Sequence, residues 1–329
     1  MKLLVIGGTS FVGRHFVEAA MAKGHALTLF NRGKTNPDLF PDAEHIKGDR
    51  DGDLSQLEGG KWDAVLDTSG YLPRVVRKSA AALAGIVDHY TFISSISVYQ
   101  DPFAGGDESA PLGTLEDELT EEITGETYGP LKVLCENSVR EEMSGRSLII
   151  RPGLIVGPHD PTDRFTYWPV RVAEGGDVLA PGGGDSLVQF IDARDLASWM
   201  LKMIENSETG DYNATGPAEE LSMKVFLESI NEAMGGKANL EWVGGDFLQS
   251  QSVGPWMEVP LWLGSDEAHM KADIGKAVAA GLSFRPTEEI AKNTNEWARS
   301  RPEDHEWKAG LSREKEATVL QAWREARSA

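Results

Sequence analysis

Tyr128 and Lys132 stand four residues apart, a spacing that puts two side chains on one face of a helix. A free phenol has a pKa near 10 and is a poor acid or base at neutral pH. A neighbouring ammonium favours the phenolate and draws it into working range. The chain has six tyrosines, so the pair gains meaning from its position, beyond the serine-rich stretch Ser94-Ser95-Ile96-Ser97-Val98-Tyr99. A second candidate is Gly7-Gly8-Thr9-Ser10-Phe11-Val12-Gly13, between the apolar run Leu3–Ile6 and a segment with Val12, Phe16, Val17 and Ala20 at helical spacing. Glycines there let the backbone approach a pyrophosphate, and the N–H groups of a helix start attract its charge. A third is Asn31-Arg32-Gly33-Lys34. A site that selects NAD wants a carboxylate at that point for the ribose 2′-hydroxyl, whereas two cations suit a 2′-phosphate. The alternative is a basic surface turn; the expectation is NADP(H) in preference to NAD(H).

These residues need an alternating framework to hold them. Strands are expected at Leu3–Ile6, Ala26–Phe30, Ala43–Lys47, Ala64–Asp67, Tyr90–Ser94 and Ser147–Arg151. Helices are expected at Phe11–Lys23, capped by Thr9 or Ser10, at about Val75–Leu83 and at Gly129–Met143. Such alternation builds a doubly wound parallel α/β sheet. The second half is less regular, with a strand at Leu187–Ile191, then helices at Asp195–Asn206, near Ser222, at Pro286–Arg299 and at Ser312–Arg327, the last read as solvated. The expected division is a nucleotide-binding domain over 1–155 plus about 187–206, and a smaller, mostly C-terminal substrate-binding domain over about 156–186 and 207–329. The acidic stretch from Asp107 to Glu126 reads as an exposed solubilising loop.

The 329 residues carry 32 Lys and Arg against 52 Asp and Glu, a net charge of −20, which argues against a large nucleic-acid surface. The single cysteine, Cys135, cannot form an internal disulfide or a cysteine-based zinc site and reads as a packing residue. The histidines lack metal-ligand spacing, so no metal is expected. No signal peptide or membrane-length apolar run is read, and a cytoplasmic location is expected.

Several marks together resemble the extended short-chain dehydrogenases/reductases, the NAD(P)-dependent epimerase/dehydratase group with a Rossmann fold: Gly7–Gly13, Gly48-Asp49-Arg50, Ser94–Tyr99, Tyr128–Lys132, Arg151-Pro152-Gly153, Gly157-Pro158 and Phe190–Ala197. With Ser10 where many members have glycine, the turn is similar to an atypical branch that includes isoflavone-reductase-like bacterial proteins and chloroplast stem-loop RNA-binding proteins. The resemblance implies Tyr128 as general acid/base, with Lys132 lowering its pKa and holding the nicotinamide ribose. It implies Ser95 on the substrate oxygen, Asp49 and Arg50 by the adenine, and Thr68, Ser69 and Gly70 by the phosphate-ribose portion. Pro152 is expected at the cofactor, and Ser97, Tyr99, Arg164 and Trp168 at the substrate. Homodimers paired through the Tyr-bearing helix occur among many relatives.

Departures from the family pattern narrow the chemistry. Ile96 and Ser97 replace the acidic pair of the sugar dehydratases. Leu154 and Val188 replace the asparagine and arginine that hold a diphosphate. A small substrate without a nucleotide is therefore expected. The loop His159–Phe165 is expected to wall its pocket, with Arg164 either clamping an anion or pairing with Asp163. Rival readings are an epimerase using the same residues and a binding protein that senses a dinucleotide or binds RNA.

Overall fold

The computed structural model describes residues 1–328. Its elements are, in order, β1 (Lys2–Ile6), α1 (Phe11–Ala22), β2 (Ala26–Asn31), β3 (Glu44–Lys47), β4 (Trp62–Asp67), α2 (Pro73–Leu83), β5 (Val87–Ile93), α3 (Tyr128–Met143), β6 (Ser147–Pro152), β7 (Leu154–Val156), α4 (Tyr167–Glu174), β8 (Gly176–Pro181), β9 (Phe190–Asp192), α5 (Ala193–Glu205), β10 (Gly210–Ala214), α6 (Met223–Ala233), β11 (Ala238–Val243), α7 (Gly245–Ser250), α8 (Gly275–Ala279), α9 (Thr287–Ala298) and α10 (Arg313–Ser328). Seven strands form one all-parallel sheet in the order β3-β2-β1-β4-β5-β6-β10. The order reverses beside β1, the switch point where such sheets bind ligands beyond their carboxyl ends.

Strand alternation divides the apolar residues between two faces. Leu4, Ile6, Phe30, Val65, Tyr90, Phe92 and Ile149 join Val76, Ala80, Cys135, Val139 and Met143 of α2 and α3 in one core. Their alternates, such as Leu3 and Val5, are equally buried, as are Phe16, Val17 and Ala20 of α1, which packs against α5. Each face thus buries a helix pair.

The chain divides into one compact unit of Met1–Ile155, Ala193–Gly216 and Ala272–Ser283, and a second of Val156–Asp192, Pro217–Lys271 and Phe284 onward. Residues 207–216 carry β10, which pairs with β6, so they belong with the sheet and not with the second unit. The sequence reading misses this strand because Gly210-Asp211-Tyr212-Asn213-Ala214 is rich in residues depleted from strands. In the second unit, β8 pairs in parallel with β11. Phe165, Phe190 and Phe226 pack ring to ring, with centroids 5.1–5.7 Å apart. Helix α10 is less solvated than its alternating charges imply, because Val319 and Leu320 are buried and Glu316 is paired with buried Arg171 at 2.6 Å. The expected strand at Leu187–Ile191 shrinks to Phe190–Asp192, with Leu187 in an isolated bridge to Ser222.

Candidate active site

The glycine turn joins β1 to α1. Gly7 and Gly8 have φ of 110° and 92°, and a Cβ on Gly13 would lie 2.8 Å from the Gly8 nitrogen. Helix α1 therefore presses directly on the turn. Ser10 holds the N-cap position but makes no side-chain hydrogen bond to the helix. The expected cap at Thr9 is absent too, since its Oγ1 donates to the Thr35 carbonyl. The first N–H groups of α1 thus keep no side-chain acceptor, which suits a pyrophosphate. Phe11 sits at φ 32°, a left-handed conformation that a non-glycine residue adopts at a cost. Beneath the turn, Thr68 Oγ1 donates to the Ile6 carbonyl at 3.0 Å and crowds Gly7. The Ser69 N–H donates to Asp67. These features fit a dinucleotide.

Asn31, Arg32 and Lys34 follow β2. Asn31 is engaged with its own turn, donating to the Gly7 carbonyl and accepting from the Gly33 N–H. Arg32 and Lys34 are exposed and make no ion pair among the described residues.

Arg50 is held by the sheet itself. Its guanidinium is bidentate on Asp67, at 2.6 and 2.7 Å, and donates to Ser79. Burial pushes the Asp67 carboxyl up, but Arg50, Tyr90 and the Ser69 N–H more than offset this and hold it below its ordinary value. Both terminal nitrogens of Arg50 are thus committed to Asp67 and Ser79, while its buried Nε has no hydrogen-bond partner. Asp49 stays exposed, its Oδ1 accepting from the Asp51 N–H.

Tyr128 opens α3, and Lys132 lies one turn on. Lys132 is 3% exposed, with Nζ donating to the carbonyls of Gly70 and Ile93 at 2.8 and 2.6 Å. Its ammonium also lies 4.5 Å from the Phe92 ring centre and 5.3 Å from that of Tyr71. Burial lowers its pKa to about 8, against the pull of Cys135, Asp67 and Glu136. Tyr71 also neighbours Tyr128, their ring centres 6.5 Å apart. Ser95 caps a short 3-10 turn, Ile96–Val98: its Oγ accepts from the Ser97 N–H and donates to Ser97 Oγ at 3.0 Å. Gly129 brings the two parts together, because any Cβ there would collide with the Ser97 carbonyl.

Below this surface runs a buried polar network that the sequence reading missed. Glu136 extends the stripe Tyr128, Lys132 by one more turn. It accepts from Ser94 Oγ at 2.6 Å and from Arg140 and Arg151. Arg151 also donates to Tyr99 and to the Glu108 carbonyl, while the Tyr99 hydroxyl donates to Asn213 at 2.6 Å. Tyr99 is therefore buried with its hydroxyl committed. Its ring lines a cavity of about 230 Å³ together with Pro102, Gly106, Pro111 and Ala272, and the ring is what it can offer a ligand. The acidic stretch needs revising for the same reason, since Glu108 accepts from the Asn213 N–H and anchors that loop on the sheet. An ionisable residue every fourth position on an otherwise buried helix was the available signal.

In the second unit, Trp168 is fully buried and its indole N–H donates to the Pro260 carbonyl, so it is a core residue and not a substrate contact. Arg164 stacks 5.2 Å from the Trp256 ring centre. Asp163 binds Arg301 and His305 and accepts from the Lys308 N–H. Pro152 ends β6, paired with Ala214. Among the described residues there is no His/Cys/Asp/Glu group able to hold a metal, and no helix is long and apolar enough to cross a membrane.

A parallel sheet with a glycine turn at its first crossover, and Tyr-x-x-x-Lys on the helix after the fifth strand, defines an enzyme of the short-chain dehydrogenase/reductase type with a pyridine nucleotide cofactor. The NAD-dependent epimerase/dehydratase family model matches residues 3–215, and the chain belongs to that family. It is 26% identical to the chloroplast stem-loop binding protein of 41 kDa b of Arabidopsis thaliana, over 63% of this chain and 56% of that protein, so it spans little more than half of that relative. It is 25% identical to the epimerase family protein SDR39U1 of Bos taurus, over 71% of this chain and 81% of that one. Its fold is similar to that of UDP-glucuronic acid 4-epimerase from Bacillus cereus in complex with NAD, at a TM-score of 0.66 and 18% identity over 91% of this chain and 99% of that one.

Proposed function

We propose that the protein is an NADP(H)-dependent oxidoreductase acting on a carbonyl or secondary alcohol of a small substrate without a nucleotide. The observation that carries this reading is the Tyr128–Lys132 pair, with Lys132 buried and Tyr128 set against the Ser95–Ser97 turn through Gly129. The bound nicotinamide would supply or accept the hydride. Gly7–Gly13 and the start of α1 would hold its pyrophosphate, and Arg32 and Lys34 its 2′-phosphate. In the reductive direction Tyr128 gives its proton to the substrate oxygen, which Ser95 orients. An ammonium has three donors, of which Lys132 spends two on Gly70 and Ile93. The third is left to bind a ribose hydroxyl, and its charge favours the phenolate once the proton has gone.

Leu154 and Val188, both buried and aliphatic, support a substrate lacking a diphosphate. The net charge of −20 argues against RNA as the partner, despite the plant relative's name. The reading extends to a cytoplasmic homodimer paired through α3.

Fluorescence titration with NADPH and NADH tests the cofactor. Tighter NADPH binding, weakened by Arg32→Ala, supports the reading and opens a screen of aldehydes, ketones and sugars for hydride transfer. Equal binding of both overturns the NADP preference, and binding of neither overturns the enzyme. The epimerase reading is favoured by the family and by SDR39U1; nucleotide retained through purification and no net turnover would move it ahead.

A further inference from the structure

Lys47 ends β3 and lies directly opposite Asn31 in the β2–β3 ladder. Its aliphatic stem runs under the turn that follows β2: a Cβ on Gly33, which has φ of 66°, would lie 3.3 Å from Lys47 Cε and 3.4 Å from its Cδ. The Lys47 ammonium is thereby carried to the turn that bears Arg32 and Lys34. All three cations are exposed, and none makes a side-chain hydrogen bond or ion pair among the described residues. That is unusual company in a chain with 52 carboxylates. The carboxylate nearest in sequence, Asp49, is turned to its own loop through the Asp51 N–H.

The cationic turn is also tied to the glycine turn. Asn31 Nδ2 donates to the Gly7 carbonyl at 3.2 Å, Thr9 Oγ1 to the Thr35 carbonyl at 2.8 Å, and Asn36 Nδ2 to the Thr9 carbonyl at 2.8 Å. Residues 31–36 are thus fastened to the glycine turn itself by three hydrogen bonds. A phosphate beside the adenosine ribose would meet positive charge from two strands, the turn after β2 and the end of β3. A dianion of this kind pairs best with several converging cations, each contributing through space as well as through hydrogen bonds.

We propose that Lys47 is the third cation of a site for the 2′-phosphate of an adenine nucleotide, acting with Arg32 and Lys34. The inference rests on the NADP(H) reading and adds to it a specificity residue from a strand outside the sequence motif. Lys47 sets preference between phosphorylated and unphosphorylated ribose and leaves the adenine and pyrophosphate contacts untouched.

The test uses two fragments that carry no nicotinamide, 2′,5′-ADP and 5′-AMP, titrated by calorimetry into the full chain and into Lys47→Met, which keeps the stem over Gly33 and removes the charge. The expected result is that wild type favours 2′,5′-ADP, and that Lys47→Met weakens 2′,5′-ADP by about fivefold while 5′-AMP changes by less than about twofold. Lys47→Glu weakens 2′,5′-ADP by roughly thirtyfold, and Lys47→Arg retains it. If wild type prefers 2′,5′-ADP and Lys47→Met keeps the whole margin, the inference fails and the NADP(H) reading stands. If Lys47→Met weakens both fragments equally, Lys47 serves the adenosine and not the phosphate, and the inference fails. If wild type shows no margin, the NADP(H) reading itself fails.

Discussion

Arg151 and Glu136 face each other across the end of the sheet, joined by hydrogen bonds of 3.0 Å from Nε to Oε1 and 2.8 Å from Nη2 to Oε2. Their side chains are 1% and 0% exposed. Neither charge has water to fall back on, and each has one further, more exposed ionic partner, Arg140 for Glu136 and Asp211 for Arg151. Arg151→Met or Glu136→Leu alone should cost up to about 3–5 kcal/mol in urea unfolding, because each leaves a buried charge with only its second ionic partner and a hydroxyl. The double variant should cost much less than the sum. An additive double variant would mean that Arg140 and Ser94 satisfy Glu136 unaided.

Gly129 faces the Ser97 carbonyl with no room for a methyl group. Gly129→Ala must push the start of α3 away from the serine turn and should cost about 1–3 kcal/mol of stability. The same shift separates Tyr128 from Ser95, so turnover should fall by at least about 10²-fold while NADPH binding changes little. A variant with normal turnover would show that the Tyr128–Ser95 spacing is not critical.

Tyr128→Phe removes the proton donor and keeps the ring beside Tyr71. Hydride transfer to any active carbonyl should drop by about 10²–10⁴-fold, with NADPH affinity unchanged. Lys132 offers a check that needs no substrate. Burial lowers its folded pKa from 10.5 to about 8, so between those values the unfolded chain binds more protons and wild-type stability should rise with pH, by up to about 3 kcal/mol. Lys132→Met should lack that rise. Equal pH profiles of chemical unfolding would refute the shift.

Asp160 behaves in the opposite sense. It is 1% exposed, its Oδ2 has no hydrogen-bond partner, and Oδ1 accepts from the N–H and hydroxyl of Thr162. Burial raises its pKa from 3.8 to about 6. The folded chain binds more protons across that window, so this group's contribution declines as pH rises through it and stays unfavourable above pH 6. Asp160→Asn keeps the Thr162 acceptor and removes the charge. At pH 7 it should stabilise the protein by about 2–3 kcal/mol, and the gain should vanish below pH 4. Thermal melts at pH 3.5 and 7 measure both.

The alternating half of the fold is legible in sequence because β1, β2, β4, β5 and β6 each contain a largely apolar stretch bounded by a turn, whereas polar β3 (Glu44-His45-Ile46-Lys47) is placed by its position after β2. The first of these turns places Gly7 and Gly13, and the i, i+4 rule places Tyr128 and Lys132 together. What escapes is pairing at a distance. Nothing local in sequence shows that Asp67, 17 residues on, takes the Arg50 guanidinium. Tyr99 looks available until Arg151 and Asn213 take its hydroxyl. Trp168 stands near a loop in sequence, yet its large apolar body is worth more in the core. Lys47 belongs to no motif and acquires meaning only through its register against Asn31.

Strand β10 closes one edge of the sheet, yet its residues come after the whole of Val156–Asp192 has been laid down. During synthesis the first unit cannot complete its sheet when its own contiguous stretch leaves the ribosome. The β6 edge, with Arg151 at its end, stays unpaired until residue 214 emerges. Asn213, which accepts the Tyr99 hydroxyl, arrives in that same strand. The loop that carries Glu108, which accepts from the Asn213 N–H, is thus anchored late. A chain truncated at residue 200 should retain an open edge and aggregate, whereas one that extends past α8 should be able to close it.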